Sequence, residues 1–545
     1  MSVEKTGAQL FIGCLETAGI DTIYGVPGEE NTDVMLAIEA SDIRFVLTRH
    51  EQAAAFMASV YGRLTGRPAA CLSTLGPGAT NLLTGVADAT LDFAPLVAIT
   101  AQADRSRAFL SESHQVIDLE ALFQPVTKAS HTLTNASAMA GVIAQAVRLT
   151  TAPRPGAVHL SLPEDLAKQT VNHTPLPQPD TPDPLPAPQA VLAAIAQIKQ
   201  ASRPLIMAGN GVIRANASDM LTYLAESLNI PVATSFMASG ILPKDHPLNL
   251  FCVGQPFRDH IDTALEDADL IIAIGFDPIE YPPQALTDGG RIPVVALNAA
   301  PLGADVGWSL GAEIIGGLGA SLKAIAAGLD GHEWDLAPAA KQARAAMLDD
   351  LTTSRTNTDD TTFYAEDILR TVETTLTAQD TVFSGVGTHK MKVARSLIPK
   401  RAGQIIIANG LAGMGLALPG AIAAADLLRD KDGHVLAICG DGDVMMNIQD
   451  METATRLGTP LTVMVWEDGG YGLIKAKQED EADTHTPLAF GNPDWADLAR
   501  AFAWHHLPVT RFGDLSDALA NARAHDGPVL MTLQVRYDDP LRDRA

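Results

Sequence analysis

The sequence predicts an α/β protein built from three doubly wound parallel-sheet domains. Two observations lead there. Short apolar runs of strand length alternate with Ala-rich stretches of helical length along the whole chain, the pattern of parallel sheets covered on both faces. The alternation is interrupted twice, by a proline-rich segment and by a polar helical tract, so the 545 residues divide into three blocks. Domains of roughly 100–200 residues fit that division.

The first block covers residues 1–170. Its strand candidates are DTIYGV, IRFVLT, AACLST, PLVAIT and AVHLSL, separated by stretches such as HEQAAAFMASVYGRLTG. The segment TPLPQPDTPDPLPAP follows, in a linker over 171–188. Proline lacks the amide that helix and ladder bonds need, so this linker reads as extended. The second block, 189–335, offers PLIMAG, IPVAT, ADLIIAIG and IPVVALN as strands. The polar tract at 336–360 reads as a helical connector. The third block, 361–545, repeats the alternation with TVFSG, QIIIA, HVLAICGD, PLTVMVWE and PVLMTLQV. Open sheets of this kind bind ligands beyond the carboxyl ends of their strands. The informative residues are therefore those where strands stop.

Composition narrows the function classes. The chain is 47% hydrophobic and 19% charged, as soluble globular proteins are. Aromatics make up only 5%, so the core must rest on Ala, Leu, Ile and Val. No run approaches the roughly 18 apolar residues of a membrane span. The opening MSVEKTGAQLF lacks the basic head and apolar stretch of a signal peptide. A cytoplasmic protein without a membrane partner is expected. The net charge of −26 argues against nucleic acid as a partner, because phosphate binding needs clustered Lys and Arg. Cys14, Cys71, Cys252 and Cys439 lie in apolar surroundings without a C-x-x-C pair and read as buried thiols.

The segment HVLAICGDGDVMMNIQDMETATRLGTPLTVMVWEDGGYGLI carries the most chemistry. A buried strand ends at Cys439, Gly440-Asp441-Gly442 follows, and a helix begins near Val444. A second strand, from Leu461 to Trp466, ends at Glu467-Asp468-Gly469-Gly470. The gap from Asp441 to Asp468 is the length of a helix plus a strand, which puts both carboxylates at the ends of neighbouring strands. Carboxylate and carbonyl oxygens suit Mg²⁺, which usually keeps water or phosphate in its shell. The glycines admit a diphosphate close to the backbone, and a following helix N-terminus supplies amide donors. Gly-Asp-Gly alone is a common turn. The spacing and the second acidic pair turn the reading towards a cation and diphosphate site.

This segment resembles the cofactor motif of thiamine-diphosphate enzymes. Many members have Asn where this chain has Asp468, and Asp there resembles the FAD-free acetolactate synthases. The resemblance extends over essentially the whole chain. It implies that Asp441, the Asp468 side chain and the Gly470 carbonyl bind Mg²⁺. It also implies that Gly442, Asp443, Val444, Tyr471, Gly472, Leu473 and Ile474 surround thiamine diphosphate. In SGVGTHKMKVARSLIP, Gly387, Thr388 and His389 would lie beside the diphosphate; a surface histidine at a helix start is the other reading of His389. In NGLAGMGLALPGAIAA, Met414 resembles the apolar wedge that bends the cofactor. The Ala412 carbonyl would then accept a bond from the aminopyrimidine amino group. A plain core methionine is the alternative.

The first block supplies the partner features. IRFVLTRHEQAAAF puts Glu51 at a strand-to-helix junction, where a carboxylate commonly caps a helix. The matching Glu in the family meets N1′ of the aminopyrimidine and shares a proton with it, which requires a dry site. YGVPGEEN carries Gly28 and Glu29, and STLGPGATNLLTGVADA carries Pro77 and Asn81. SESHQVIDLEALFQPVTK carries His114 and Gln115, which resemble the pair facing substrate. Glu51, His114 and Gln115 are thus the candidate catalytic residues. In the family the pyrimidine half and the diphosphate half of one site come from different subunits, so a homodimer or dimer of dimers is expected.

The segment FDPIEY, at 276–281, again resembles the FAD-free acetolactate synthases, and the Arg-rich pattern of FAD-bearing relatives is missing there. A Gly-x-Gly at Gly209 and Gly211 says little by itself. FAD is therefore not expected. The implied reaction is decarboxylation of a small 2-oxo acid such as pyruvate, then carboligation to a second carbonyl acceptor, giving 2-acetolactate. One departure matters: YGLIKAKQEDE has Ala476 and Lys477 where related synthases usually place an aromatic. Either these residues widen the acceptor pocket or they lie on the surface. Another 2-oxo acid decarboxylase or aldehyde carboligase is thus the alternative function. A catalytically silent binding paralogue is disfavoured by the presence of Glu51, Asp441 and Asp468. A nicotinamide oxidoreductase is disfavoured because no convincing G-x-G-x-x-G follows the first strand of any block.

Overall fold

Apolar runs that are buried on both faces need helices above and below them, and the chain supplies these around three all-parallel sheets. The structure is a computed structural model that describes residues 5–108, 110, 114–179, 181–254, 259–303, 306–354 and 361–537. The first four residues, the end of the 336–360 connector and the end of the third block lie outside the described residues. The first sheet has strands β1 (Thr22–Gly25), β2 (Arg44–Leu47), β3 (Ala69–Ser73), β4 (Leu96–Gln102), β5 (Ser130–Thr132) and β6 (Ala157–Pro163) in the order β2-β1-β3-β4-β6-β5. The second has β7 (Pro204–Ala208), β8 (Val232–Thr234), β9 (Asn249–Cys252), β10 (Leu270–Ile274), β11 (Pro293–Asn298) and β12 (Ser309–Ile315) in the order β9-β8-β7-β10-β11-β12. The third has β13 (Phe363–Tyr364), β14 (Thr381–Ser384), β15 (Ile405–Ile407), β16 (Val435–Gly440), β17 (Thr462–Glu467), β18 (His505–Pro508) and β19 (Val529–Arg536). Its order is β13-β19-β17-β16-β14-β15, with β18 also paired to β19. The predicted fold class is thus observed. All four cysteines are buried and free. Among the described residues no helix is long and apolar enough to cross a membrane.

The Glu51–Thr65 helix shows why Ala-rich segments are needed. Residues 53–62 are all buried, because the helix lies between the first sheet and the Ala417–Leu427 helix of the third unit, in one shared core. Small side chains permit such close approach. The helix stops at Gly66, whose φ of +69° takes the left-handed conformation that glycine adopts without strain. Next to this core a buried charge network joins the units. Arg63 donates to Asp88 and Asp92 at 2.7 Å each. Asp92 accepts the N–H groups of Asn409 at 3.0 Å and Gly410 at 2.6 Å. The Asn409 side chain donates to the Ile279 carbonyl of the second unit at 3.0 Å.

In the third sheet β14, β16 and β17 are neighbours, with Ser384 opposite Ile438 and Gly440 opposite Trp466. Their carboxyl ends therefore lie side by side, and three glycine-bearing turns leave the sheet at one edge.

The second sheet has the strand order of dinucleotide-binding folds, with its switch point between β7 and β10. There the two turns are sealed against each other. Gly209 donates to the Ile274 carbonyl at 2.9 Å and Gly211 to the Gly275 carbonyl at 2.8 Å. A Cβ on Gly209 would lie 2.4 Å from the Phe276 Cα, and one on Gly211 2.6 Å from the Gly275 oxygen. These glycines serve backbone-to-backbone contact, with no gap between the turns. Glu280, buried, ties the two turns further: it accepts N–H bonds from Asn210 at 2.8 Å and Asp277 at 3.2 Å and the Ser235 hydroxyl. The Pro338–Thr352 helix packs Ala340, Ala343, Met347 and Leu351 into the same unit's core.

Burial pushes the Glu280 carboxyl up to about 7, against the pull of Arg214 and of its hydrogen-bond donors. A raised carboxyl holds its proton more tightly when folded than when unfolded. Its stabilisation is therefore complete at acid pH and is lost as pH rises through about 7. Between about pH 4.5 and pH 7, Tm should fall more steeply in the parent than in Glu280→Gln, as read by differential scanning calorimetry. Equal slopes would show that Glu280 does not titrate in this range.

Candidate functional site

The three turns at the carboxyl edge of the third sheet converge. Asp441, buried at the end of β16, accepts N–H bonds from Gly442 at 2.8 Å and Gly469 at 2.9 Å, and an amide N–H from Asn492 at 2.9 Å. The β17 turn thus donates to the β16 carboxylate. Asp468 stands at the rim beside it. Partial burial, then the charge of Asp441, push Asp468 up to about 6. A Cβ on Gly472 would lie 2.8 Å from an Asp468 oxygen and 3.2 Å from the Thr388 hydroxyl, so the β14 turn reaches the same point. A side chain at 472 would have to displace these two polar groups.

Gly470 bridges to Ala489, and the chain over 488–490 braces the β17 turn: Tyr471 donates to the Leu488 carbonyl at 3.2 Å and Phe490 to the Gly469 carbonyl at 3.1 Å. The Tyr471 and Phe490 rings meet edge-on at 5.2 Å and both lie against Gly442. Among the described residues no group of three or more His, Cys, Asp or Glu is gathered as in an all-protein metal cage. Two carboxylates and a backbone carbonyl instead leave coordination positions open for water and phosphate, as Mg²⁺ prefers. The donor set fits that ion, and the glycine-lined floor fits a diphosphate.

His389 is buried, so the surface reading does not hold. Cβ atoms on Gly387 and Gly440 would lie 3.1 and 3.0 Å from its ring, and the ring meets Trp466 edge-on at 6.4 Å. Burial pushes it down to about 3, which keeps the imidazole neutral. Thr388 is buried beside it. Asp443 turns its side chain to the backbone: one oxygen accepts the N–H groups of Val386 and Gly415, each at 3.0 Å. Burial pushes its carboxyl up to about 6 while these amides pull it down. Val444 is buried. In the 409–415 loop Met414 is half-buried, and Ala412 has a φ of +52°.

In the first unit Glu51 opens its helix, half-buried, and accepts the Asn81 side-chain amide at 3.0 Å. A Cβ on Gly78 would lie 3.2 Å from a Glu51 oxygen. Pro77 is the first residue of the same helix as Asn81. Gln115, exposed, has a φ of +60° and sits over Gly76, where a Cβ would lie 2.8 Å from the Gln115 Cβ. His114 is exposed next to it. Gly28 packs on Thr74. Glu29 is exposed, whereas its neighbour Glu30 turns inward and accepts the Thr74 hydroxyl at 2.5 Å. Glu51, Pro77, Asn81 and Gln115 thus form one cluster, with Gly28 and Thr74 along its side. Leu473 is half-buried and Ile474 exposed on the Gly472–Ala482 helix, which has no buried residue. Ala476 is partly covered on that helix and Lys477 exposed.

The sequence reading missed Asn492, Phe490, Glu30 and Asn447. The first two lie far beyond the Gly-Asp-Gly motif and reach it only because the chain returns along the β17 turn. Asn447, fully buried, donates to the Gly415 carbonyl at 2.9 Å; the Asn in MMNIQD was its one signal.

Comparison with known proteins agrees with this geometry. Three family models match in order: thiamine pyrophosphate enzyme, N-terminal TPP binding domain over residues 5–122, central domain over 191–325, and C-terminal TPP binding domain over 385–533. The chain is 30% identical to an acetolactate synthase of Bacillus subtilis (strain 168), over 98% of this chain and 94% of that one. It is 30% identical to a catabolic acetolactate synthase of Raoultella terrigena, over 98% and 96%. It is 31% identical to an acetolactate synthase large subunit of Parasynechococcus marenigrum (strain WH8102), over 97% and 88%. With similarity running the full length and its two TPP-binding modules bracketing the turns just described, the chain belongs to the thiamine-pyrophosphate enzymes, as an acetolactate-synthase-like member.

Proposed function

We propose that the protein decarboxylates pyruvate and joins the two-carbon unit to a second pyruvate, giving 2-acetolactate, with thiamine diphosphate and Mg²⁺. The observation that carries this reading is the convergence of Asp441, Asp468 and Thr388 at one sheet edge, in a chain similar over its full length to acetolactate synthases. When bound, thiamine diphosphate supplies the nucleophilic carbon for the 2-oxo acid and the electron sink for loss of CO₂. Asp441, Asp468 and the Gly470 carbonyl hold Mg²⁺. Gly387, Thr388, His389, Gly442, Val444, Tyr471 and Gly472 enclose the diphosphate, and neutral His389 adds no charge of its own. Met414 and the Ala412 carbonyl orient the pyrimidine, with Leu473 and Ile474 along its apolar side. Glu51 holds a proton at the pyrimidine N1′, steadied by Asn81, while Gly28, Glu29 and Pro77 line that half. His114 and Gln115 face the acceptor. Excluding water and stray protons favours carboligation over simple decarboxylation.

The domain division we adopt is 1–170 for the pyrimidine half, 189–335 for the middle unit and 361–545 for the diphosphate half, joined by 171–188 and 336–360. We read no FAD in the middle unit. In support, the β7 and β10 turns are bonded to each other, and the Asn210 and Asp277 amides are taken by Glu280. We place the enzyme in the cytoplasm, acting on small carbonyl compounds, without nucleic acid or membrane partners. We infer a homodimer or dimer of dimers in which Glu51 of one copy serves the Mg²⁺ site of the other. Leu411, Met445, Met446, Tyr471 and Ile474 are exposed at the rim of the diphosphate half, an apolar set that a second copy would cover. A second reading, with a larger 2-oxo acid or an aldehyde as acceptor, is favoured by the open helix that bears Ala476 and Lys477.

NMR of products from protein, thiamine diphosphate, Mg²⁺ and pyruvate should show acetolactate or acetoin, reduced at least ~100-fold in Glu51→Gln. Acetaldehyde alone would make the enzyme a decarboxylase, and no turnover with cofactor bound would remove pyruvate as donor. Mixing inactive Glu51→Gln and Asp441→Ala chains after reversible dissociation should restore about a quarter of parent activity, because half of the copies pair as mixed dimers with one intact site. No recovery, with mixed dimers shown by mass spectrometry, would place each site within one chain.

A further inference from the structure

The loop over 409–415 is pinned at both ends by buried carboxylates that lie outside it. At its start the Asp92 carboxylate forks onto two successive amides, those of Asn409 and Gly410 at 3.0 and 2.6 Å, while Arg63 neutralises it at 2.7 Å. Here the loop backbone presses on the helix that carries Asp92, for a Cβ on Gly410 would lie 2.6 Å from the Leu91 carbonyl oxygen. At its end one oxygen of Asp443 accepts the Gly415 N–H at 3.0 Å and also the Val386 N–H at 3.0 Å, tying the loop to the β14 turn. Asn447 holds the Gly415 carbonyl at 2.9 Å. Between the pins Ala412 keeps a φ of +52°. A residue with a Cβ takes this left-handed conformation only where its surroundings impose it.

We propose that Asp92 and Asp443 are positioning residues that clamp the 409–415 loop from both ends, hold Ala412 left-handed, and so aim its carbonyl and the Met414 side chain at the pyrimidine. This inference rests on the reading of Ala412 and Met414 as cofactor contacts. It gives Asp443 a task other than direct contact with the diphosphate. It also gives the pyrimidine half of a chain a grip on its own diphosphate half through Asp92. The clamp needs acceptor atoms in place; at 443 it does not need the charge.

Two readouts on the full-length protein test it: hydrogen–deuterium exchange of 409–415 without cofactor, and calorimetric affinity for thiamine diphosphate with Mg²⁺. Asp443→Ala should speed exchange in the loop and weaken the cofactor, each about tenfold. Asp443→Asn, which keeps an acceptor oxygen for both amides, should stay within about threefold of the parent. Adding Ala412→Gly to Asp443→Ala should recover about threefold or more of the lost affinity, because glycine takes the left-handed conformation without a clamp. General destabilisation would not be repaired in this way, so absence of recovery would overturn the positioning role. Unchanged exchange in Asp443→Ala would overturn the clamp itself. Faster exchange with unchanged affinity would uphold the clamp and remove Ala412 and Met414 from the cofactor site. Asp92→Asn, at the other end, reads the same two quantities if Asp443→Ala does not fold.

Discussion

Asp441 sits buried at the end of a parallel strand, held by Gly442, Gly469 and Asn492, with Asp468 beside it on the next strand. Two like charges about 4 Å apart repel by roughly 4 kcal/mol where the effective dielectric is near 20. A neighbouring pair of this kind favours a proton or a cation, and burial, then the charge of Asp441, raise Asp468 to about 6. The in-register ends of β14, β16 and β17 create this constraint. Gly472 lies against Asp468 and Thr388, where the turns of β14 and β17 meet.

The same device recurs through the molecule. Asp441 gathers the amides of Gly442 and Gly469, Asp443 those of Val386 and Gly415, Asp92 those of Asn409 and Gly410, and Glu280 those of Asn210 and Asp277. A carboxylate accepts several N–H bonds at once, which fixes irregular backbone that no strand or helix ladder could satisfy. In the third unit these anchors build a cradle. In the second, Glu280 ties the β7 turn to the β10 turn.

Much of this was legible in the sequence. Aliphatic runs of strand length between Ala-rich helices gave three parallel sheets, because burial on both faces leaves little room for another pattern. Asp441 and Asp468 could be placed because each directly follows its strand. What sequence could not give is what the fold brings together from afar. Asp92 lies at a helix end with nothing local to mark it, and its partners Asn409 and Gly410 belong to a loop of the third unit. Glu29 and Glu30 share one short turn, so which of them faces inward depends on Thr74. His389 could be read from sequence either beside the diphosphate or on the surface, and its burial under the glycine turns of β14 and β16 removes the surface reading. By resemblance Asp443 is expected beside the cofactor, and that its side chain bonds the backbone of two other turns has no local signal.

We propose that the neighbouring strand ends bearing Asp441 and Asp468 seat a divalent cation, completed by a diphosphate. Electron paramagnetic resonance of Mn²⁺ titrated into the protein, with and without thiamine diphosphate, tests it most directly. A single class of site is expected, one Mn²⁺ per chain, tightened by the cofactor and weakened by about tenfold or more in Asp468→Ala. Mn²⁺ binding that ignores both the cofactor and the substitution would contradict it.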